Sequence, residues 1–203
     1  MIKTKRLIIN DLILEDVEQI FNWKRNSALL MLEYDFINSS DTDTNYWYRE
    51  RISQPRLKSY TVKNSEGRVI GFISIRNIRR FFKSAILGVT FDERYIGKGY
   101  GTEALIGFLD YYFNTLNMRT MKLDVGMYNF RALKCYKNLG FEIKKKTNFL
   151  VPRRFGRFKH ELIKNPDQYN NNTFFILQDN LVLIYYRMSL TKTKFNKLFT
   201  NCG

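Results

Sequence analysis

The sequence predicts an α/β (α+β) domain in which strands and helices alternate along the chain. An apolar run at 85–91 leads through closely spaced glycines into a pattern of helical period. Alternating apolar residues at 57–62 and 69–75 flank a turn that contains Gly67, which is typical of a β-hairpin. A strand pattern at 120–125 is followed by a second helical pattern. These three observations indicate one sheet with helices packed on it.

The N-terminal part begins with a predicted strand at 5–10, followed by a helix in which apolar residues at 14–21 recur at helical spacing. Asp11 is the expected N-cap of that helix. A polar start and the aromatic-rich residues 44–52 predict a second helix, which Pro55 ends. The hairpin described above comes next.

After the hairpin, basic residues at 76–83 are expected to form a connection before the strand at 84–91. Gly140 is the expected stop of the helix that follows Asn129, and a further strand begins at 141–143. Later apolar residues at 174–188 predict the last strand of the sheet. We expect one domain over 1–190, with a basic extended region at 144–173, and a basic tail at 191–203 that is frayed or peripheral.

The glycine loop at 97–102 lies between a predicted strand and a predicted helix. Glycines bring backbone N–H groups close to a ligand, and a helix N-terminus adds unpaired donors and a positive dipole end. Arg94 and Lys98 add positive charge, so the loop favours a pyrophosphate. The alternative is a turn that only connects two elements. The spacing fits neither a Walker A loop nor a dinucleotide-binding G-x-G-x-x-G.

Two segments resemble one known family. Arg94, Gly97 and Gly99 match the [RQ]-x-x-G-x-[GA] signature of the GNAT acetyltransferases. Residues 129–141 resemble the family's second segment, in which an Asn, an Ala, a Tyr and a Gly-Phe pair mark the helix beside coenzyme A. The resemblance covers 5–141, and its nearest branch contains the ribosomal-protein-alanine and amino-sugar acetyltransferases.

The resemblance implies a fold, a co-substrate and a set of contacts. The fold would be a central mixed, mostly antiparallel twisted sheet of about six to seven strands with about four helices. The co-substrate would be acetyl-coenzyme A, with its pyrophosphate on the glycine loop. The residues expected to contact it are Val89, Thr90, Phe91, Arg94, Tyr95, Ile96, Gly97, Lys98, Gly99, Tyr100, Gly101, Thr102, Asn129, Ala132 and Tyr136.

Tyr136 is the predicted general acid. A phenol of pKa about 10 stays protonated at neutral pH and can donate a proton to a departing thiolate. The alternative is a core aromatic residue at helical spacing. The base is poorly specified, because Ile86 and Leu87 stand where many relatives carry an acidic residue. The candidates for the general base are Glu33, Asp35 and Asp124. The alternative is that the enzyme binds the amine in its neutral form and needs no base.

Trp23, Tyr34 and Trp47 are the candidate acceptor-binding residues. Trp23 closes the first helix, and in the resembling branch a similar aromatic and basic helix ending borders the acceptor groove. Trp47 lies in the second helix, which either lines a substrate pocket or covers the sheet. Packing against the core is the alternative for both tryptophans. Residues 30–36 correspond, by the same resemblance, to a loop over the acceptor.

Composition excludes several classes of protein. Two cysteines and one histidine, His160, in 203 residues supply neither a disulfide framework nor a metal-binding cluster. No apolar run reaches the length of a membrane span or of a signal peptide, so a cytoplasmic protein is expected. We also expect a monomer or a homodimer. The net charge of +15 leaves nucleic acid as a possible partner. Its site would be the basic segment 144–160, which also contains Phe149, Phe155 and Phe158.

The leading hypothesis is therefore an acetyl-coenzyme A-dependent N-acetyltransferase that transfers the acetyl group directly to a primary amine in a ternary complex. The amine would belong to a protein N-terminus, an amino sugar or another small metabolite. Two alternatives use the same fold: a nucleic-acid- or ribosome-binding module, and a catalytically silent acyl-coenzyme A sensor.

Overall fold

The computed structural model describes residues 1–23, 43–151 and 173–199. In these residues one sheet of nine strands has the order β1-β2-β3-β4-β5-β6-β9-β7, and β8 pairs with β9. The strands are β1 (Ile2–Lys3), β2 (Leu7–Asp11), β3 (Lys58–Asn64), β4 (Val69–Arg79), β5 (Ser84–Phe91), β6 (Thr120–Gly126), β7 (Glu142–Leu150), β8 (Phe174–Leu177) and β9 (Asn180–Thr191).

Five α-helices pack on this sheet within the described ranges: α1 (Leu14–Phe21), α2 (Thr44–Ser53), α3 (Tyr100–Asp110), α4 (Phe130–Asn138) and α5 (Lys192–Phe199). A 3₁₀ turn, Glu93–Tyr95, precedes the glycine loop, and a π-helical turn, Tyr111–Thr115, follows α3. None of the helices in the described part of the chain is long and apolar enough to span a membrane.

The predicted class and the mostly antiparallel sheet are confirmed. Two additions raise the strand count above the predicted number: the two-residue β1, and a hairpin where one late strand was expected. The hairpin turns at Gln178 and Asp179, whose φ values are 45° and 66°. Two consecutive residues with positive φ are characteristic of the type I′ turn that joins two-residue hairpins.

Three local expectations were wrong. Asp11 ends β2 instead of capping a helix, and α1 begins at Leu14 without a side-chain cap. Arg76 lies within β4, because that strand continues through most of the expected connection. The C-terminal tail is neither frayed nor peripheral at 191–199: it forms α5, whose Phe195 is buried against the core.

Helices cover both faces of the sheet, as the alternation of side chains along β4 shows. Ile73 packs into the cluster that contains Phe108 of α3, whereas the adjacent Phe72 packs into a second cluster with Trp47 of α2. Successive residues of a strand point to opposite faces, so α3 and α2 lie on opposite sides. Burying a large apolar side chain stabilises the fold by about 1.5–3 kcal/mol, so both layers contribute.

The parallel pair β5/β6 departs from the antiparallel pattern and creates an opening in the sheet. Its pairing runs from Ser84 opposite Thr120 to Ile86 opposite Lys122. Both strands continue beyond this point, to Phe91 and Gly126, without pairing to each other in the described sheet. The carboxyl ends of the two strands therefore separate and leave a wedge between them.

Candidate active site

Two cavities lie at this wedge and meet at Val89 and Tyr136, which line both. The first, of about 340 Å³, is bounded by the end of β5, residues 95–102 and α4, and is called the glycine-loop cavity. The second, of about 600 Å³, is bounded by β4, β5, β6, β7 and β9, with Arg51 of α2, and is called the arginine cavity. A molecule that extends through the junction would pass both Val89 and Tyr136.

The glycine loop has the backbone form that its sequence predicts. Gly97 and Gly99 both have φ of +80°, a conformation that residues with a Cβ rarely adopt. Gly99 is the N-cap of α3, and the N–H of Glu103 bonds to the Gly99 carbonyl. The amides ahead of Glu103 in the first turn are those that an α-helix leaves available to an anion.

The N-terminal segment holds this helix end in place through Glu103. The Glu103 carboxylate accepts hydrogen bonds from Thr4 Oγ1 at 2.7 Å and from the backbone N–H and Nε of Arg6 at 2.7 and 2.6 Å. Burial acts to raise the pKa of Glu103, but the hydrogen bonds from Thr4 and Arg6 outweigh it and lower the pKa. The carboxylate therefore stays ionised and ties α3 to the start of the chain.

Arg94 does not line the glycine-loop cavity, although the family signature includes it. Its Nε lies 3.0 and 2.9 Å from the two carboxylate oxygens of Asp92, and its Nη2 also contacts Asp92. This hydrogen bonding raises the pKa of Arg94. Asp92 is buried and also accepts the Arg94 backbone N–H, so the pair shapes the turn before the glycines.

Lys98 and Tyr100 also lie outside the cavity lining. The Lys98 ammonium lies 5.6 Å from the ring centroid of Tyr95, and the Arg6 guanidinium lies 4.3 Å from that of Tyr100. Thr90 lines the arginine cavity instead. The other predicted contact residues line the glycine-loop cavity: Val89, Phe91, Tyr95, Ile96, Gly97, Gly99, Gly101, Thr102, Asn129, Ala132 and Tyr136.

Helix α4 forms the wall opposite the loop. Asn129 caps it, because its side-chain oxygen accepts the backbone N–H of Ala132 at 3.1 Å. Thr102 Oγ1 lies 3.4 Å from Cys135 Sγ, which joins the first turn of α3 to α4. Asn129 is thus the N-cap of α4, and Cys135 packs between the helices.

Two basic residues of α4 were missed by the sequence reasoning. Arg131 and Lys134 line the glycine-loop cavity, as does Asn138. Their spacing places them on one face of the helix. Applying helical periodicity to the polar residues of 129–141, and not only to the apolar ones, would have found them.

The arginine cavity contains Asp124, one of the three base candidates. Asp124 lies on β6 directly opposite Arg187 on β9. Its two oxygens accept Arg187 Nε at 2.7 Å and Nη2 at 3.0 Å, and these bonds raise the pKa of Arg187. The carboxylate is therefore already engaged by a bidentate partner. Glu33 and Asp35, the other two candidates, lie outside the described residues.

Trp23 and Trp47 lie together in the second core cluster and line neither cavity. The Trp23 indole N–H donates to the Val69 carbonyl at 3.1 Å, so packing accounts for its position. Trp47 contacts a residue of the arginine cavity, because the Arg51 guanidinium lies 4.1 Å from its ring centroid. The third aromatic candidate, Tyr34, lies outside the described residues.

The basic segment is described only up to residue 151. Its first part is the exposed strand β7, in which Lys144 bonds to Glu142 and Lys146 lies 6.0 Å from the ring centroid of Tyr186. All three of its arginines, two of its phenylalanines and His160 lie outside the described residues. Among the described residues, no group of three His, Cys, Asp or Glu side chains is placed to hold a metal ion.

A family model described as acetyltransferase (GNAT) domain matches residues 6–142. The chain belongs to the GNAT acetyltransferases. It is accordingly an N-acetyltransferase of GNAT type, and the fold and family predicted above are confirmed. The predicted branch, that of ribosomal-protein and amino-sugar enzymes, stays a prediction.

Similar proteins include two bacterial GNAT relatives. The spermidine N(1)-acetyltransferase of Vibrio cholerae is 23% identical over 126 residues, which cover 62% of this chain and 73% of that protein. The probable N-acetyltransferase YjcK of Bacillus subtilis is 26% identical over 152 residues, covering 70% and 83% respectively. The V. cholerae spermidine N-acetyltransferase solved with CoA and spermine has a TM-score of 0.67 and 19% identity, covering 93% of this chain and 97% of that one.

The glycine-loop cavity suits the acyl donor that GNAT acetyltransferases use, acetyl-coenzyme A. Open space surrounds the position that a Cβ on Gly97 would take, so a ligand can approach the backbone there. Arg131 and Lys134 supply positive charge on the facing helix. A diphosphate needs such donors and charges, and the residues present fit it.

Proposed function

We propose that this protein transfers the acetyl group of acetyl-coenzyme A directly to a primary amine within a ternary complex. The observation that carries this proposal is the meeting of the two cavities at Val89 and Tyr136. The glycine-loop cavity would hold the donor and the arginine cavity the acceptor. Direct transfer requires the two reacting groups to approach at one point, and the shared residues define that point.

Donor binding would use backbone groups on two elements. The amides at the start of α3 would bond to the diphosphate, assisted by Arg131 and Lys134. The edge of β5 at Val89 is not paired with β6 in the described sheet, so its backbone would bond to the pantetheine chain. These contacts would bring the thioester close to Tyr136.

Tyr136 would act as the general acid. It lies on α4 at the junction of the two cavities, with its ring 5.7 Å from that of Phe141. As the carbon–sulfur bond breaks, the phenol O–H would donate its proton to the departing sulfur. The acetyl carbon forms its new bond to the acceptor nitrogen as its bond to sulfur breaks. The nitrogen releases one proton to solvent water, and Tyr136 regains a proton from solvent.

The acceptor must react as a neutral amine. Asp124 is the candidate base among the described residues, but its two oxygens are bonded to Arg187. The arginine cavity contains three guanidinium groups and one carboxylate among its described residues. Nearby positive charge lowers the pKa of an ammonium group, so the cavity would itself favour the neutral amine. We propose this in place of a dedicated base.

The acceptor class is a small amine. The relatives named for spermidine support a small-amine acceptor, and the arginine cavity is large enough for a metabolite. Spermidine therefore belongs in the panel of amines to be tested. Protein N-termini and amino sugars are the other acceptors expected from the sequence.

A thiol-release assay with acetyl-coenzyme A and a broad amine panel tests this proposal. Release that depends on the amine, together with acetylated product, is the expected result. Calorimetric binding of acetyl-coenzyme A without turnover of any amine would favour an acyl-coenzyme A sensor instead. Failure to bind it would contradict both and leave the nucleic-acid-binding alternative.

A further inference from the structure

Positive charge dominates the arginine cavity. Its charged lining residues in the described part of the chain are Arg51, Arg76, Arg187 and Asp124. Asp124 forms its bidentate pair with Arg187, so it neutralises one arginine only. From the described residues, an acceptor that enters this cavity meets more positive than negative charge.

Arg76 is the arginine best placed to contact such an acceptor. It is exposed on β4, opposite Ile86 of β5, and none of the ion pairs formed within the described ranges includes it. Its Nη1 lies 3.5 Å from the position that a Cβ on Gly88 would take. Gly88 immediately precedes Val89, so the guanidinium lies over β5 next to the junction of the cavities.

Arg51 supplies a second charge from α2, the helix that packs on the Phe72 side of the sheet. Its guanidinium lies 4.1 Å from the ring centroid of Trp47 and 5.8 Å from that of Phe72. Burial lowers the pKa of Arg51 to about 10, although Glu50 acts in the other direction. Arg51 therefore remains cationic at neutral pH, and the two aromatic rings fix its position in the cavity wall.

Guanidinium groups at such a site select for anions. Arginine binds a carboxylate or a phosphate through two parallel N–H donors, and this pairing is stronger than a neutral hydrogen bond. A polyamine brings further ammonium groups besides the one that reacts, and these would face like charges in the cavity. We infer that the acceptor is a small primary amine that also carries a carboxylate or a phosphate, and that Arg76 binds this anionic group.

This inference rests on the proposed acetyl transfer, because it names the acceptor class for the same site. The acceptor class differs from spermidine, for which the relatives are named. Specificity is a difference between affinities, so it is measured by comparing acceptors that share one carbon chain. Pentylamine, δ-aminovalerate and cadaverine provide a neutral, an anionic and a cationic group at the same distance from the amine.

The first experiment measures kcat/KM for these three amines, for spermidine and for aminobutyl phosphate. We expect δ-aminovalerate to exceed pentylamine by about ten- to hundredfold, as a charge-assisted contact predicts, and cadaverine and spermidine to fall below pentylamine. Comparing δ-aminovalerate with aminobutyl phosphate distinguishes a carboxylate from a phosphate acceptor. Calorimetry with δ-aminovalerate on the protein saturated with coenzyme A measures the same preference without turnover.

The second experiment replaces the arginine. The preference is measured as kcat/KM for δ-aminovalerate divided by kcat/KM for pentylamine. In Arg76→Gln this ratio should fall to about two or less, mainly through a higher KM for δ-aminovalerate, because the charge-assisted bond is lost. Arg76→Lys should recover part of the ratio. Arg80→Gln is the matched control, since Arg80 follows the same strand but lines a separate cavity with Phe81 and Phe82. Arg80→Gln should leave the ratio unchanged.

The outcomes separate this inference from the proposed function. If spermidine or cadaverine reacts as fast as δ-aminovalerate, the inferred acceptor class is wrong while acetyl transfer stands. The same conclusion follows if Arg76→Gln keeps the full preference. If no amine reacts and δ-aminovalerate does not bind, both the proposed function and this inference are overturned.

Discussion

Arg187 bonds to both carboxylate oxygens of Asp124, at 2.7 and 3.0 Å, from the directly opposite position on the neighbouring strand. Asp124 was the only base candidate among the described residues, and its bidentate bond to Arg187 indicates a structural role. It holds an arginine in the wall of the arginine cavity. The first prediction follows from that role.

Asp124→Asn should lower kcat/KM for pentylamine by less than about tenfold, because Asp124 holds Arg187 and does not act as the base. Loss of a general base typically lowers the rate by about 10²-fold or more. Arg187→Gln and the double variant complete a double-mutant cycle, and the two changes should be strongly non-additive. A 10²-fold loss in Asp124→Asn that is independent of Arg187 would instead identify Asp124 as the base.

Tyr136→Phe should lower kcat by about 10²-fold, since the variant lacks the proton for the departing sulfur. The dissociation constant for acetyl-coenzyme A, measured by calorimetry, should change little, because the ring remains. Tyr48→Phe is the control: Tyr48 packs beside the second core cluster and lines neither cavity. Full turnover in Tyr136→Phe would contradict the assignment of the general acid.

Gly99→Ala should weaken acetyl-coenzyme A binding by about tenfold and lower the melting temperature by a few degrees. Its φ of +80° strains a residue with a Cβ by about 1–2 kcal/mol, and that Cβ would lie 3.4 Å from Arg6 Nη2. The loop would relax away from the diphosphate.

Gly67→Ala is the matched control for Gly99→Ala, because Gly67 has φ of +76° in the β3–β4 turn and has nothing near its Cβ position. It should show a similar loss of melting temperature with unchanged acetyl-coenzyme A affinity. Equal effects of both variants on affinity would mean that the glycine loop does not hold the donor.

Glu103 should make stability depend on pH in the acid range. Its pKa is lower in the folded protein than in the unfolded chain, so its contribution is present above the unfolded pKa and is lost as pH falls through the folded pKa. Glu103→Gln should therefore reduce the free energy of unfolding by about 1–2 kcal/mol at neutral pH, a value that allows for the exposure of Arg6.

Denaturant unfolding of wild type and Glu103→Gln at several pH values checks this prediction. The difference between them should shrink as pH falls below about 4.3, the reference pKa of glutamate. Glu66→Gln, which alters an exposed carboxylate in the β3–β4 turn, is the control and should change the free energy of unfolding little at neutral pH. A difference that stays constant with pH would mean that the ionised carboxylate is not what stabilises the helix end.

Local sequence patterns predicted the parts of the site that depend on neighbouring residues. Gly97 and Gly99 indicated the loop because positive φ is a local requirement. Asn129 indicated the start of α4 because its side chain caps a backbone N–H three residues on. The hairpin around Gly67 was equally local. Each of these features is decided within one turn or one helix end.

Tertiary structure alone decided the rest. Asp124 and Arg187 are 63 residues apart and meet through the register of β6 and β9, which no local pattern reveals. The basic tail forms the packed helix α5 because Phe195 is buried against the core. Arg76 lines the arginine cavity because β4 continues into the expected connection at 76–83. The sequence by itself thus determined the glycine loop, the start of α4 at Asn129 and the family. The charge of the arginine cavity instead arises from side chains that only the folded sheet brings together.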